Sequence, residues 1–454
     1  MVARALLALA VAASIVAAEW GRGAVFQACE TDDYPWQVAS SSKKGLTLDD
    51  ETLLGCPSRI PELWPNTQER VTSLRLFRVW SKDWPEAKRL PTFEVLRDLA
   101  RNSFIQILVG TPLTCNAEDD EQDWQWTKEL LQMLGPDHVM GLSVGNELEL
   151  LWKKKREDRT VTKKCIDEFW GDEGYFWQQF QRRVKEFDAL GFESAKVTSV
   201  FSGAALGGDW RSPFLETKGK AMVNTFFTSA NKAYGKRFVF TFNFYPYFDE
   251  SFGWDPGLGG RAKTCKFSLA AATCWGDGCA APSGMAVVPR KIQQLTGAMD
   301  RVFWVGETGW CSAKAATLHT KVADCKAWSS EESYRSYYEG FLAWDLRING
   351  MPPPEHVFYF TMRDALNYGQ PEHFGVIEHC NSTKCKVHSK EYVGPTLEPP
   401  PAELSWQKGG LAAIGGIVAL AVAGTVAYAN TPGGALLRSR ARSLGRGDLV
   451  EESE

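Results

Sequence analysis

Short apolar or β-branched runs alternate with longer stretches of helical periodicity over most of the chain. The short runs fall at residues 23–28, 73–80, 104–111, 139–146, 196–202, 238–245, 302–307 and 357–361. Between them, segments such as 121–133, 174–190, 288–299 and 333–346 carry the patterning of amphipathic helices. Strand-length runs separated by helix-length ones predict parallel strands joined by crossover helices. Eight such units predict an α/β fold, a (β/α)8 TIM barrel. A doubly wound open sheet is the alternative. No Gly-x-Gly-x-x-Gly turn follows the first run, which argues against a dinucleotide site. No internal repeat with a fixed period is visible.

Two apolar segments flank this region. Near the N-terminus, Arg4 precedes an apolar stretch, and small residues 16–18 precede Glu19. That stretch is too short to span a bilayer and reads as a cleaved signal peptide, residues 1–18. Residues 409–429 form a second, uncharged segment of 21 residues, long enough to cross the hydrocarbon core. Arg438, Arg440, Arg442 and Arg446 follow it and favour a cytoplasmic C-terminus. A glycolipid-anchor signal would end in its hydrophobic tail, whereas here a polar tail follows. The expected order is signal peptide, barrel domain over 19–391, Pro-rich stalk over 392–408, transmembrane helix over 409–429 and cytoplasmic tail over 430–454. This is a type I single-pass protein of the secretory pathway, its main domain lumenal or extracellular. Gly415, Ala419, Ala423 and Ala427 place small residues along one stripe of the span, a surface on which two such helices can associate weakly.

Eleven cysteines in a secretory context imply several disulfides and at least one cysteine left over. The close pairs Cys274/Cys279 and Cys380/Cys385 are candidates to staple loops. No spacing fits a zinc site. Asn381-Ser-Thr is a glycosylation sequon. A net charge of −4 gives no field for nucleic acid. The 18 tryptophans are numerous enough that most are expected in packing and a few on loops, where an indole face can stack on a sugar.

In a barrel of this kind chemistry sits where strands run into loops. The fourth run ends in Asn146-Glu147 and the seventh in Gly306-Glu307. Strands four and seven lie on roughly opposite sides of the barrel, so their terminal carboxylates can face each other across the mouth. Such a pair suits glycoside hydrolysis, in which one carboxylic acid protonates the leaving oxygen and the other attacks carbon or activates water. Tyr245, at the end of the sixth run, is placed to donate a hydrogen bond to the nucleophilic carboxylate.

Three segments, Val144-Gly-Asn-Glu147, Asn243-Phe-Tyr-Pro-Tyr-Phe248 and Val305-Gly-Glu-Thr-Gly-Trp310, resemble the motifs of glycoside hydrolase family 17. That family comprises endo-1,3-β-glucanases and glucanosyltransferases. The resemblance implies that Glu147 is the general acid/base and Glu307 the nucleophile of a retaining enzyme. It implies that Asn146 holds a sugar 2-hydroxyl and that Tyr245 supports Glu307. It further implies that Tyr247 and Trp310 shape the sugar-binding floor, and that Glu372 lies near the site. No metal or cofactor is required. The expected activity is O-glycosyl hydrolysis of a β-glucan polysaccharide, endo-1,3-linked. The alternatives are a β-1,3-glucanosyltransferase and a carbohydrate-binding membrane protein without catalysis.

The chain departs from the family pattern in several places. Phe77 replaces a tyrosine, and the Arg78-Val-Trp80 stretch replaces a more acidic and polar one. Gly306 replaces a serine, and the Thr361-Met-Arg-Asp364 stretch is less acidic and aromatic. The loop after the fourth run is basic, and a cysteine-bearing insertion spans 252–287.

Overall fold

The computed structural model describes residues 35–154, 160–171, 173–216, 221–248, 265–312, 325–348, 350–365, 373–382 and 385–387. Eight parallel strands close into a barrel in sequence order. They are β1 (Lys44–Leu48), β2 (Ser73–Leu76), β3 (Gln106–Thr111), β4 (Val139–Asn146), β5 (Lys196–Ser202), β6 (Phe240–Asn243), β7 (Phe303–Thr308) and β8 (His356–Tyr359). β1 pairs with both β2 and β8, which completes the ring. Among the helices between them are α1 (Asp50–Gly55), α2 (Glu86–Ser103), α3 (Ala117–Leu134), α4 (Tyr175–Ala189), α5 (Val223–Tyr234), α6 (Val287–Thr296) and α7 (Glu331–Ala343).

The local chemistry accounts for these elements. Nearly every residue of the strands is buried, as expected for a parallel sheet covered by helices. α3 begins at Asn116, whose side chain accepts from two backbone amides, with Glu118, Asp119 and Asp120 in the first turn. Its Trp124, Thr127, Leu130, Leu131 and Leu134 recur at helical spacing and are buried. Inside the barrel, Leu108, Val239, Trp304 and Phe358 form their own apolar cluster.

The first strand is not where the sequence pattern placed it. The strand that closes the barrel is Lys44–Leu48, whereas residues 23–28 lie outside the described residues. The reason is chemical. Lys44 opens β1 and would read as a loop residue, yet it is buried, with its ammonium donating to the carbonyls of Leu342 and Trp344 at the end of α7. Burial pushes its pKa down to about 7.

Four disulfides join described residues, and they concentrate on loops at one end of the barrel. Cys56–Cys380 links the segment after β1 to the segment after β8. Cys115–Cys165 links the β3 and β4 loops, and Cys265–Cys325 links the β6 and β7 loops. Cys274–Cys279 forms as the spacing suggested, but Cys380 bonds to Cys56 rather than to Cys385. Cys385 is also disulfide-bonded, and Cys311 is buried. Among the described residues, no helix is long and apolar enough to cross a membrane. The expected signal peptide, stalk, span and tail lie outside those residues.

Candidate active site

Two irregularities in the strand pairing aim the rim carboxylates. Between β4 and β5 the register slips after Ser143, so that Asn146 rather than Gly145 stands opposite Val200. Gly145 takes φ +80°, a conformation natural to glycine, and Leu148 fills the space where a β-carbon would lie. Glu147 then sits in the left-handed region at φ 51°, with its N–H donating 2.7 Å to Val200 O. Non-glycine residues are uncommon there, and strain of this kind concentrates at functional sites. β7 slips similarly, pairing Asn243 with Glu307 and Thr308 with Tyr359.

Both glutamates are only 2% exposed. The amide nitrogen of Asn243 donates to Glu147 Oε1 at 2.9 Å and to Glu307 Oε1 at 2.8 Å. Because both bonds share one nitrogen, the two oxygens stand no more than about 5.7 Å apart. Tyr245 donates its hydroxyl to Glu307 Oε2 at 2.7 Å. Arg75, from β2, donates one nitrogen to Glu307 Oε1 (3.0 Å) and to Gly306 O (2.7 Å), and the other to Asn146 Oδ1 (2.8 Å). Arg75 is 1% exposed, and its guanidinium lies 4.4 Å from the centre of the Phe77 ring. This ion pair is deeply buried, its two side chains only 1% and 3% exposed.

Donors therefore converge on Glu307 from β2 and from the end of β6: the Arg75 guanidinium, the Tyr245 phenol and the Asn243 amide. Asn146 is half-buried. Its oxygen accepts from Arg75, which leaves its amide N–H groups for other partners.

Gly306 makes the cluster possible. A β-carbon there would lie 2.8 Å from Asn243 Oδ1, 2.8 Å from Val200 Cγ1 and 3.0 Å from Arg75 Nη1. The glycine that departs from the family pattern is where the residues holding the carboxylates close in.

Beside Glu307 the rings of Phe77, Tyr245, Phe360 and Phe374 form an aromatic wall, with edge contacts of 5.6 to 6.2 Å between centroids. Tyr247 and Trp310 are not on the surface of the mouth, contrary to the floor expected from sequence. Both are fully buried and packed edge to face at 5.2 Å. Trp310 donates to Trp328 O, and the Tyr247 hydroxyl bonds Ser329. They support the rim from beneath. Glu372 lies outside the described residues. Of the described tryptophans, Trp210 stands out at 75% exposed; the others are buried or half-buried.

Arg75, Asn243 and Glu149 escaped the sequence reading. Arg75 had a signal, a lone charge inside the apolar Leu74-Arg-Leu76 run, because an arginine on a buried strand must find an anion or a set of carbonyls. Asn243 was legible only as part of a motif. Glu149 lies in the turn just after Glu147 and is 1% exposed. Burial pushes its carboxyl up to about 7, against the opposing effect of hydrogen bonds from Ser202. No cluster of three or more potential metal-ligating side chains occurs among the described residues.

No family model matches the chain. A stretch of 108 residues is 27% identical to methylthioribulose-1-phosphate dehydratase of Pectobacterium atrosepticum. That match covers 23% of this chain and 53%, about half, of the relative. Similar solved structures include a β-1,3-glucanosyltransferase mutant of Rhizomucor miehei with laminaritriose, at 15% identity and TM-score 0.37, covering 68% of this chain and 82% of that one. Another is a plant β-glucan endohydrolase at 15% identity and TM-score 0.42, covering 68% and 90%. A third is an endo-laminarinase of Formosa Hel1_33_131 at 15% identity and TM-score 0.41, covering 78% and 81%.

Proposed function

We propose that the chain is a retaining glycoside hydrolase acting on β-glucan, with 1,3-linked chains as its substrate, of the family 17 type that its motifs resemble. The observation that carries this reading is the Asn243 amide shared by Glu147 and Glu307, which keeps their oxygens within about 5.7 Å. Retaining glycosidases hold their two carboxyl groups about 5–5.5 Å apart, whereas inverting ones leave room for a water between them.

The surroundings divide the roles. Glu307, facing Arg75, Tyr245 and Asn243, is the nucleophile. In the first step its oxygen attacks the anomeric carbon as the bond to the leaving oxygen breaks, and Glu147 passes its proton to that oxygen. In the second step Glu147 takes a proton from water, the water oxygen bonds to the anomeric carbon, and Glu307 leaves as the carboxylate. Asn146, oriented by Arg75, offers an amide N–H to the sugar 2-hydroxyl. If a second sugar replaces water in the second step, the same residues perform transfer. In keeping with this substrate, the chain is a type I membrane protein anchored through 409–429, its barrel outside or in the lumen. The disulfides among its rim loops and the exposed Asn381 of a glycosylation sequon support that placement.

The test is turnover of linear 1,3-β-glucan oligosaccharides by the full-length chain, with the anomer first released followed by NMR. Glu147→Gln should lower kcat by about 10²–10⁴-fold, and Glu307→Gln should abolish turnover. A β-anomer released first establishes retention. Turnover that survives Glu307→Gln sinks the proposal.

A further inference from the structure

We infer that Glu149 is a positioning residue for Glu147: its carboxyl clamps the turn carrying Glu147 to the end of β5. The inference rests on the catalytic reading above. At Glu147 the chain leaves β4 in a left-handed conformation and enters a 3-10 turn over Leu148–Leu150, with Leu150 N–H donating to Glu147 O. A non-glycine residue held there is strained, so its surroundings must hold it. One tether is the Glu147 N–H bonded to Val200 O. Glu149 supplies another, for its Oε1 accepts from Ser202 N and from Ser202 Oγ, both at 2.7 Å.

The position of Ser202 gives this clamp its reach. Ser202 pairs with Asn243 in the β5–β6 ladder, and Asn243 is the residue that spaces the two glutamates. The turn bearing Glu147 is thereby fixed, through one strand pairing, to the amide that sets the carboxylate separation.

The carboxyl is not placed there by packing. Glu149 Oε2 is buried without a hydrogen-bond partner among the described residues. Burying a polar atom in that way is costly, and an apolar side chain of similar size would fill the space without the penalty. What an apolar side chain lacks is the acceptor for Ser202. Because both bonds fall on Oε1, an amide oxygen at this position accepts them equally well.

The experiment compares Glu149→Gln, Glu149→Ala and Ser202→Ala in the full-length chain, with kcat and KM measured separately on 1,3-β-glucan oligosaccharides. Loss of a two-bond clamp should lower kcat of Glu149→Ala by about 10–100-fold with KM little changed. Glu149→Gln should stay within about threefold of wild type, and Ser202→Ala, which keeps the N–H bond, should fall between. Wild-type kcat in Glu149→Ala, a Gln variant as impaired as the Ala variant, or a loss carried by KM would each overturn the inference. If Glu149→Ala does not fold, Ser202→Ala decides: a lowered kcat at constant KM supports the clamp and an unchanged kcat overturns it.

A second readout needs no turnover. Amide hydrogen exchange at Glu147 and Leu150 should quicken in Glu149→Ala, or in Ser202→Ala if the former does not fold, and not in Glu149→Gln. Unchanged exchange removes the clamp even if the enzyme is active. A wild type that turns over no glucan removes the functional reading and leaves the exchange data to judge the clamp.

Discussion

Replacing Arg75 with methionine is the most demanding test of how the site is held together. The side chain keeps most of the apolar stem but removes a guanidinium that is 1% exposed and reaches Glu307, Asn146 and the Gly306 carbonyl at 2.7–3.0 Å. Water cannot readily replace it, because Glu307 is itself 2% exposed. The variant therefore leaves a buried carboxylate without its cation. Breaking one side of such a pair costs about 3–5 kcal/mol, far more than the pair contributes relative to an apolar replacement. Arg75→Met should accordingly lose about that much stability in chemical denaturation. Adding Glu307→Gln, which removes the stranded charge, should restore stability, with a coupling energy of at least about 2 kcal/mol in the double-mutant cycle. Equal loss in Arg75→Met and in the double variant, or a single variant within about 1 kcal/mol of wild type, would refute the account of the ion pair as a buried and mutually dependent unit.

Other perturbations probe separate parts of the site. Tyr245→Phe removes one charge-assisted hydrogen bond to Glu307 and should lower kcat by about 10–100-fold, read in steady-state kinetics with the fold unchanged. Gly306→Ser places a β-carbon against Asn243 and Arg75; a displacement of the carboxylates near 1 Å should cost about 10²-fold in kcat. Glu149 has a folded-state pKa of about 7, above the usual glutamate range, so the folded chain holds that proton more tightly than the unfolded chain. The stability it contributes is complete below about pH 4 and is lost as pH rises through about 7, so denaturation of Glu149→Gln should show a shallower decline across that window. Replacing Cys115 and Cys165 by serine opens a bond between residues 50 positions apart and should lower stability by about 4 kcal/mol on the chain-entropy account, measured by denaturation under non-reducing conditions.

How much of this was legible beforehand depended on whether a residue obeyed its strand's pattern. β4 and β5 are apolar runs closed by polar residues, and the sequence placed both at the bounds observed, 139–146 and 196–202. β1 was missed because its polar residues are buried: Lys44 is satisfied by carbonyls of a helix end nearly three hundred positions away. No local pattern carries that information. The same holds at the site. Strand-end glutamates are visible in sequence because they break an apolar run at its edge. Arg75 sits inside β2 and Asn243 closes β6, and their partners come from two other strands, β4 and β7. Tyr247 and Trp310 were placed on the floor by the resemblance of their motifs alone, whereas their phenol and indole groups bond inward to Ser329 and Trp328.

The bond between Cys56 and Cys380 has a consequence for how the barrel can be taken apart. It joins two points 324 positions apart, and between them lie seven of the eight strands. That stretch of chain is a covalent circle. A protease cutting once anywhere within it yields no separate fragment, since both new ends remain attached through the sulfurs. Strand β1, which precedes Cys56, stays joined to the same circle through the backbone. A nicked molecule would migrate as a single species on a non-reducing gel and as two after thiol treatment. The barrel can thus lose the continuity of its backbone in a loop and keep all eight strands within diffusion-free reach of one another.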